Sequence, residues 1–215
     1  MNILLFGATG SVGHSVLDAC LGAAIVDEVR AITRRPLMDT RPKLRTFVHK
    51  SFLDYSTLQE AFGSIDACLF CLGTSVTQAS KEDYRKISYS FPLAAAQMLK
   101  ARSPAAAFHY ISGKGTSAHS RMFWSQVKAQ AEQDLIALID ANCWRPAFVS
   151  AKPSANMPKY YRLVYPLGIL FKPFPSLYID GHDLGRAMLQ ATRENLRRRV
   201  IENREIHQIA ARAEF

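Results

Sequence analysis

No apolar run in this 215-residue chain approaches the roughly 20 residues a helix needs to cross a bilayer, so no membrane-spanning helix is expected. Residues 1–6 lack a basic region ahead of their apolar stretch, so no signal peptide is expected and the sequence reads as cytoplasmic. Cysteine is scarce: Cys20, Cys68, Cys71 and Cys143. Cys68 and Cys71 have the spacing of a metal or redox pair. They fall in an apolar run that reads as a strand, where side chains three apart point to opposite faces, so both are read as packing residues. No His, Cys and carboxylate pattern has metal-ligand spacing, no G-x-S-x-G elbow is present, and there are no repeats. Negative charge is the scarcer sign, with 18 Asp and Glu against 27 Lys and Arg, a net +9. That balance attracts anions in general. Nucleic-acid binding wants aromatics interleaved with the basic residues on one face, and this pattern is missing. Basic residues concentrate over 34–50 and in Arg197-Arg198-Arg199, which reads as a solvated helix end.

What is present is a globular composition, 48% hydrophobic and 21% charged. Short apolar runs alternate with longer amphipathic segments. Strands are expected over 3–6, 28–33, 46–49, 66–72, 108–112 and 147–151. Helices are expected over 12–21, over 58–62 behind an Asp54 cap, over 81–100 with a kink at Pro92, and over 123–141. This alternation predicts an α/β, Rossmann-type, doubly wound parallel sheet of order 3-2-1-4-5-6. Val200-Ile201 offers a seventh strand, behind a helix capped by Asp183. Residues 1–151 read as the nucleotide-binding unit. From 152 to 215 the prolines and the aromatics Tyr160, Tyr161, Tyr165, Phe171, Phe174 and Tyr178 suggest a small C-terminal cap, part of the same single domain.

Directly after the first strand comes Gly7-Ala8-Thr9-Gly10-Ser11-Val12-Gly13. Gly7 suits a tight turn, Gly10 lets backbone approach a pyrophosphate, and Gly13 lets the following helix pack on the sheet. The helix N-terminus then presents N–H groups and partial positive charge to an anion. Dinucleotide binding follows. At the end of strand two an acidic residue would hold the ribose 2′-OH of NAD, whereas arginine accommodates the 2′-phosphate of NADP. The sequence has Thr33-Arg34-Arg35 and no carboxylate before Asp39, so NADP is preferred to NAD.

The loop, with Asp54, Phe70-Cys71-Leu72-Gly73-Thr74, Tyr110-Ile111-Ser112-Gly113-Lys114-Gly115, Gln126-Val127-Lys128 with Glu132, and Ala151-Lys152-Pro153-Ser154, resembles the atypical short-chain dehydrogenases/reductases. Within them it is most similar to the Tat-interacting oxidoreductase-like branch and its bacterial relatives. The resemblance implies that Ser51 and Phe52 lie by the adenine and that Cys71, Leu72 and Gly73 run along the ribose and phosphates. It places Ser112 at a substrate carbonyl, Lys128 on the nicotinamide ribose, and Lys152 and Pro153 beside the nicotinamide. It also allows a homodimer through the long helices after strands four and five.

One position departs from the family pattern. Where these enzymes carry a proton-donating tyrosine four residues before the lysine, this chain has Trp124. Indole donates a hydrogen bond but does not ionise near neutral pH. Substitute acids are His119, Ser125, Tyr160 and Tyr161. The leading expectation is an NADP-dependent oxidoreductase acting on a small carbonyl or alcohol, with Ser112, Lys128 and Trp124 at the reacting end. The other is a non-catalytic NADP(H)-binding regulator. The expected partner is a small molecule, with neither nucleic acid nor membrane.

Overall fold

A computed structural model describes residues 1–151 and 169–215. Seven strands form one sheet: Asn2–Phe6 (β1), Glu28–Thr33 (β2), Leu44–Val48 (β3), Ala67–Phe70 (β4), Ala107–Ile111 (β5), Asn142–Arg145 (β6) and, at the far edge, Arg199–Glu202. Phe148–Ser150 (β7) and Tyr178–Asp180 (β8) pair separately as a two-stranded parallel ribbon, which makes Arg199–Glu202 β9. The sheet order is β3-β2-β1-β4-β5-β6-β9, with every pairing parallel. The expected order and the added edge strand are both present.

The helices are Ser11–Gly22 (α1), Lys81–Arg85 (α2), Phe91–Arg102 (α3), Phe123–Ile139 (α4), Gly181–Arg193 (α5) and Asn203–Ala211 (α6). β1 explains why the sheet is covered on both sides. Ile3 and Leu5 enter one core with Val16, Leu17, Leu184, Met188 and Ile206, from α1, α5 and α6. Leu4 and Phe6 enter the other with Phe62, Phe70, Ala95, Leu99 and Leu135. Strands buried on both faces are apolar, as β4 is throughout and β1 is from Ile3 on. Cys68 and Cys71 divide the same way, Cys68 into the second core and Cys71 against the first, both as free thiols. Among the described residues no helix is long and apolar enough to cross a membrane.

The sixth strand of the sheet is Asn142–Arg145, not the apolar run at 147–151, which supplies β7 of the ribbon instead. The helix before it ends early, at Asp140 in the left-handed conformation (φ 51°), leaving room for a strand at once. Asn142 is buried and its amide N–H donates to Leu196 O at 2.6 Å, so the strand's start is held by a distant partner, although among the described residues Asn142 Oδ1 has none. The cap of α5 is Asp180, whose carboxylate accepts from His182 N–H at 2.8 Å, and Asp183 lies inside the first turn. Arg197 is not a solvated helix end: its guanidinium donates to Ala105 O and Ala106 O, both at 2.7 Å, just before β5. The break in the 81–100 helix falls one turn before Pro92, as a π-helical turn over Lys86–Ser90.

Two buried features fix this frame. His109 on β5 accepts from the Trp144 indole N–H at 3.0 Å and lies 2.9 Å from Thr192 Oγ1, whose own proton goes to Met188 O. Nδ1 is therefore the acceptor and Nε2–H the donor, and burial pushes this imidazole down to about 3. The second is the crossing of α1 and α5. A Cβ on Gly181 would come within 2.8 Å of Ser15 Cβ, and one on Gly185 within 2.7 Å of Ala19 Cβ. Gly185→Leu is expected to lose about 1–3 kcal/mol in thermal unfolding, because backbone-close packing has no room for it.

Candidate functional site

The glycine loop sits at the carboxyl end of β1, where the chain turns one way to β2 and the other way to β4. In open α/β sheets this switch point is where ligands bind. Gly7 has φ +83°, and a Cβ on it would lie 2.7 Å from the backbone of Cys71 and Leu72. The close approach is reinforced by Cys71 N–H donating to Phe6 O at 3.1 Å. Gly10 N–H then returns to Gly7 O at 2.9 Å, and a Cβ on Gly13 would stand 2.0 Å from that same oxygen. The three glycines thus fold α1 back onto the strand end. Gly10 caps α1 without any side chain, and the first turn carries no acidic residue. Thr9 is exposed, Ser11 and Val12 are half-buried. The N-terminal turn of a 12-residue helix is left facing the crevice, with its dipole's positive end uncompensated by side chains. Backbone this close suits a pyrophosphate, which needs no side-chain ligand here.

At the end of β2, Thr33 is buried and its hydroxyl donates to Arg35 O at 2.6 Å, which shapes the turn. Arg34 and Arg35 are exposed and meet no acidic partner among the described residues. Asp39, the nearest carboxylate downstream, is taken: the Arg41 guanidinium binds it and holds its carboxyl below the usual range. The same arginine reaches Asp18 on α1 at 2.9 Å. Ser51 is exposed, whereas Phe52 turns its ring inward, 5.5 Å from the Phe91 ring and 6.1 Å from that of Phe6. Phe52 offers the crevice main chain rather than an aromatic face. Cys71 and Leu72 are half-buried beside Gly7, and Gly73 is exposed.

At the end of β5, the Lys128 ammonium donates to Ser112 O at 2.7 Å and to Ile111 O at 3.1 Å, above the Tyr110 ring. Burial pushes it down to about 8, partly opposed by the nearby Glu132 charge. Glu132, one turn further along α4, is buried and bound by Arg145 through two contacts of 2.6 and 2.9 Å. Ser112 Oγ lies 3.0 Å from Thr116 Oγ1, and Thr116 gives its proton to Gly113 O at 2.8 Å. Ser112 must then be the donor of that pair, so its own proton is committed. Donating to a substrate carbonyl requires the hydroxyl to turn away from Thr116.

Trp124 lies over the loop after β5, where a Cβ on Gly113 or Gly115 would come within 3.9 or 3.8 Å of its ring. Its indole N–H donates to Met122 Sδ at 3.2 Å, not to the Ser112 end. Ser125, considered as an acid, is structural: its hydroxyl accepts from Ser117 N–H and donates to Gly115 O. His119 is exposed. Lys152, Pro153, Tyr160 and Tyr161 lie outside the described residues. Sequence reasoning missed Thr116, whose role depends on a bond no spacing reveals. It also quoted Glu132 without its partner, which comes from β6. Among the described residues no group of three or more His, Cys, Asp or Glu gathers as a metal site.

No protein-family model matches the chain. Protein FMP52-1, mitochondrial, of Scheffersomyces stipitis is 28% identical over 149 residues, which cover 64% of this chain and 62% of the relative. HTATIP2 of Rattus norvegicus is 27% identical over 134 residues, covering 61% of this chain and 54% of the relative. The chain therefore spans less than two thirds of the curated relatives it matches. Four similar relatives, from four organisms, are named mitochondrial, and this overturns the cytoplasmic expectation. Among solved structures, an oxidoreductase of the short-chain dehydrogenase/reductase family from Burkholderia thailandensis has a TM-score of 0.69 at 17% identity, covering 93% of this chain and 88% of its own. DesIV, a dTDP-glucose 4,6-dehydratase of Streptomyces venezuelae solved with NAD, has a TM-score of 0.68 at 15% identity, covering 98% and 80%. The likeness holds: this chain is similar in sequence to HTATIP2 and FMP52-1 over 61% and 64% of its length, and its fold is that of the short-chain dehydrogenases/reductases.

Proposed function

We propose that this chain binds NADP(H) across the crevice at the Gly7–Gly13 loop and acts as an oxidoreductase on a small carbonyl or alcohol. The observation that carries the reading is the start of α1 at the switch point, capped by Gly10 without a side chain and held there by the close approach of Gly13 to Gly7 O. The loop's N–H groups and helix dipole would hold the pyrophosphate. Arg34 and Arg35 would hold the 2′-phosphate, and their lack of acidic partners leaves both forks available. Ser51 and the main chain at Phe52 would flank the adenine, and Cys71, Leu72 and Gly73 the ribose and phosphates. Lys128, with two N–H groups given to Ile111 O and Ser112 O, would turn its third toward the nicotinamide end of the crevice. Bound there, the nicotinamide supplies or takes up a hydride.

A second reading rests on Trp124, whose N–H is spent on Met122. On it the chain binds NADP(H) without turnover and passes nucleotide occupancy to a partner. The two separate in one assay, following reduced-nicotinamide absorbance with NADPH and a panel of carbonyl compounds including 4-nitrobenzaldehyde and acetophenone. Turnover supports the oxidoreductase, and binding without turnover supports the regulator. Cofactor choice has its own test. Arg34→Ala should weaken NADPH binding by about 1.5–3 kcal/mol, the worth of a charge-assisted hydrogen bond, and leave NADH nearly unchanged. Equal losses for both nucleotides, measured by calorimetry, would sink the 2′-phosphate role.

A further inference from the structure

We propose that Lys128 is itself the proton donor for carbonyl reduction, in place of the tyrosine hydroxyl that Trp124 displaces. The inference rests on the oxidoreductase reading and names the acid that reading lacks.

Among the described residues His119 is exposed on the loop after β5, and the surroundings occupy the other polar groups near the Ser112 end. Trp124 gives its only polar hydrogen to Met122 Sδ, and an indole could not release it in any case. Ser112 gives its proton to Thr116, which gives its own to Gly113 O. Ser125 is bound into the 115–117 turn. Tyr110 is buried and donates to Ser88 O at 2.7 Å, from the π-helical turn between α2 and α3. Lys114 donates to Ser176 O at 2.9 Å. Lys128 alone in this group keeps an ionisable proton beside the Ser112 end of β5.

Its setting also suits the task. Two backbone carbonyls fix Nζ in place, and an acid held within hydrogen-bond reach of the reacting oxygen is the first requirement of general acid catalysis. The charged and titratable groups around it do not compete for the proton. Glu132 on α4 is engaged by Arg145 of β6, Arg145 also reaches Glu202 of β9, and Cys143 on β6 and Tyr84 on α2 are buried with their protons pushed to high pH. With no carboxylate bound to the ammonium and with burial disfavouring its charge, its proton is released near neutral pH rather than at the alkaline pH of an exposed lysine.

The balance is simple. The carbonyl carbon gains a hydride, two electrons, from the reduced nicotinamide, which is thereby oxidised. The carbonyl oxygen gains the Lys128 proton, giving the alcohol and a neutral amine that water then reprotonates.

The first test needs neither cofactor nor substrate. The full chain is grown with ¹³C-labelled lysine, and the Lys128 Cε signal, identified by its absence in Lys128→Arg, is titrated by NMR. A midpoint near 8 is expected, and one near the unperturbed 10.4 overturns the proposal. The second is the pH profile of NADPH-dependent 4-nitrobenzaldehyde reduction. In the wild type kcat should fall as pH rises through about 8, where the ammonium is lost. Lys128→Arg keeps the charge but not an accessible proton, so it should lose roughly 10²–10⁴-fold in kcat while NADPH affinity stays within tenfold. Turnover that survives Lys128→Arg, or is flat through pH 8, overturns the Lys128 assignment and leaves the oxidoreductase reading standing. A wild type that binds NADPH and turns over no carbonyl removes that reading, and this inference with it.

Discussion

Gly13→Ala is expected to abolish nucleotide binding and to lower stability by about 1–3 kcal/mol, the usual range for a group forced into a filled site. The added carbon would stand 2.0 Å from Gly7 O and 2.6 Å from Gly7 C, and both are backbone atoms that no rotamer change can move. Relief requires α1 to leave the strand end, which withdraws its N-terminus from the crevice and strains the α1–α5 crossing at Ser15 and Ala19. Thermal unfolding and calorimetry with NADPH check the two halves. Gly10→Ala separates them. A Cβ there meets nothing closer than Gly7 O at 3.4 Å, and φ is −81°, so the fold should tolerate it. Its methyl would instead obstruct a pyrophosphate lying against the backbone. Gly10→Ala should keep the wild-type unfolding midpoint to within a few degrees and still lose at least tenfold in NADPH affinity, about 1.4 kcal/mol. Unchanged affinity in Gly10→Ala would mean the phosphates do not lie on this loop.

Glu132→Ala should be the most destabilising single change away from the loop. Glu132 is buried, and it is the principal partner of Arg145, whose side chain is only 20% exposed. Removing one member of a buried pair leaves the other charge uncompensated, a loss of about 3–5 kcal/mol. Arg145 retains Glu202 at 3.1 Å, an exposed contact worth little in water, so the lower half of that range applies. For a chain of this length the melting temperature should drop by roughly 6–12 °C, at 2–4 °C per kcal/mol over about 3 kcal/mol. The same change has a second readout. The Glu132 charge favours the Lys128 ammonium, so its loss should move the Lys128 midpoint further down, below about 8. A melting temperature within 2 °C of wild type would show that Arg145 finds other company.

The parts of this fold that the sequence reveals are those where local pattern and tertiary environment agree. β4, and β1 from Ile3 on, are apolar on both faces because both faces are buried, and the glycine spacing reports a backbone contact that only glycine permits. The boundaries of β2, Glu28–Thr33, come directly from its pattern. β6 fails for the opposite reason. Asn142-Cys143-Trp144-Arg145 looks like the polar exit of a helix, because Leu196 and Glu132, which bond the side chains at its ends, are not neighbours in sequence. The apolar run at 147–151 looks like the better strand and goes to a small ribbon, tied to α6 by Asn203, whose Oδ1 accepts from Ala147 N–H. Arg197 misleads in the same manner, since its carbonyl partners are 91 and 92 residues away. In the site, the residue types of the motif were readable but their proton bookkeeping was not. That Ser112 is committed to Thr116, that Ser125 serves the loop, and that Trp124 faces Met122 are all set by a turn whose conformation no spacing encodes.

On the proposed function, the Gly7–Gly13 loop and the two arginines after β2 together form an NADP(H) site. Isothermal titration of the full chain with NADPH and with NADH, at one fixed salt concentration, tests it most directly. Both nucleotides should bind, with NADPH at least tenfold tighter and the difference erased by Arg34→Ala. Absence of heat with either nucleotide, or equal affinities in the unaltered protein, would contradict it.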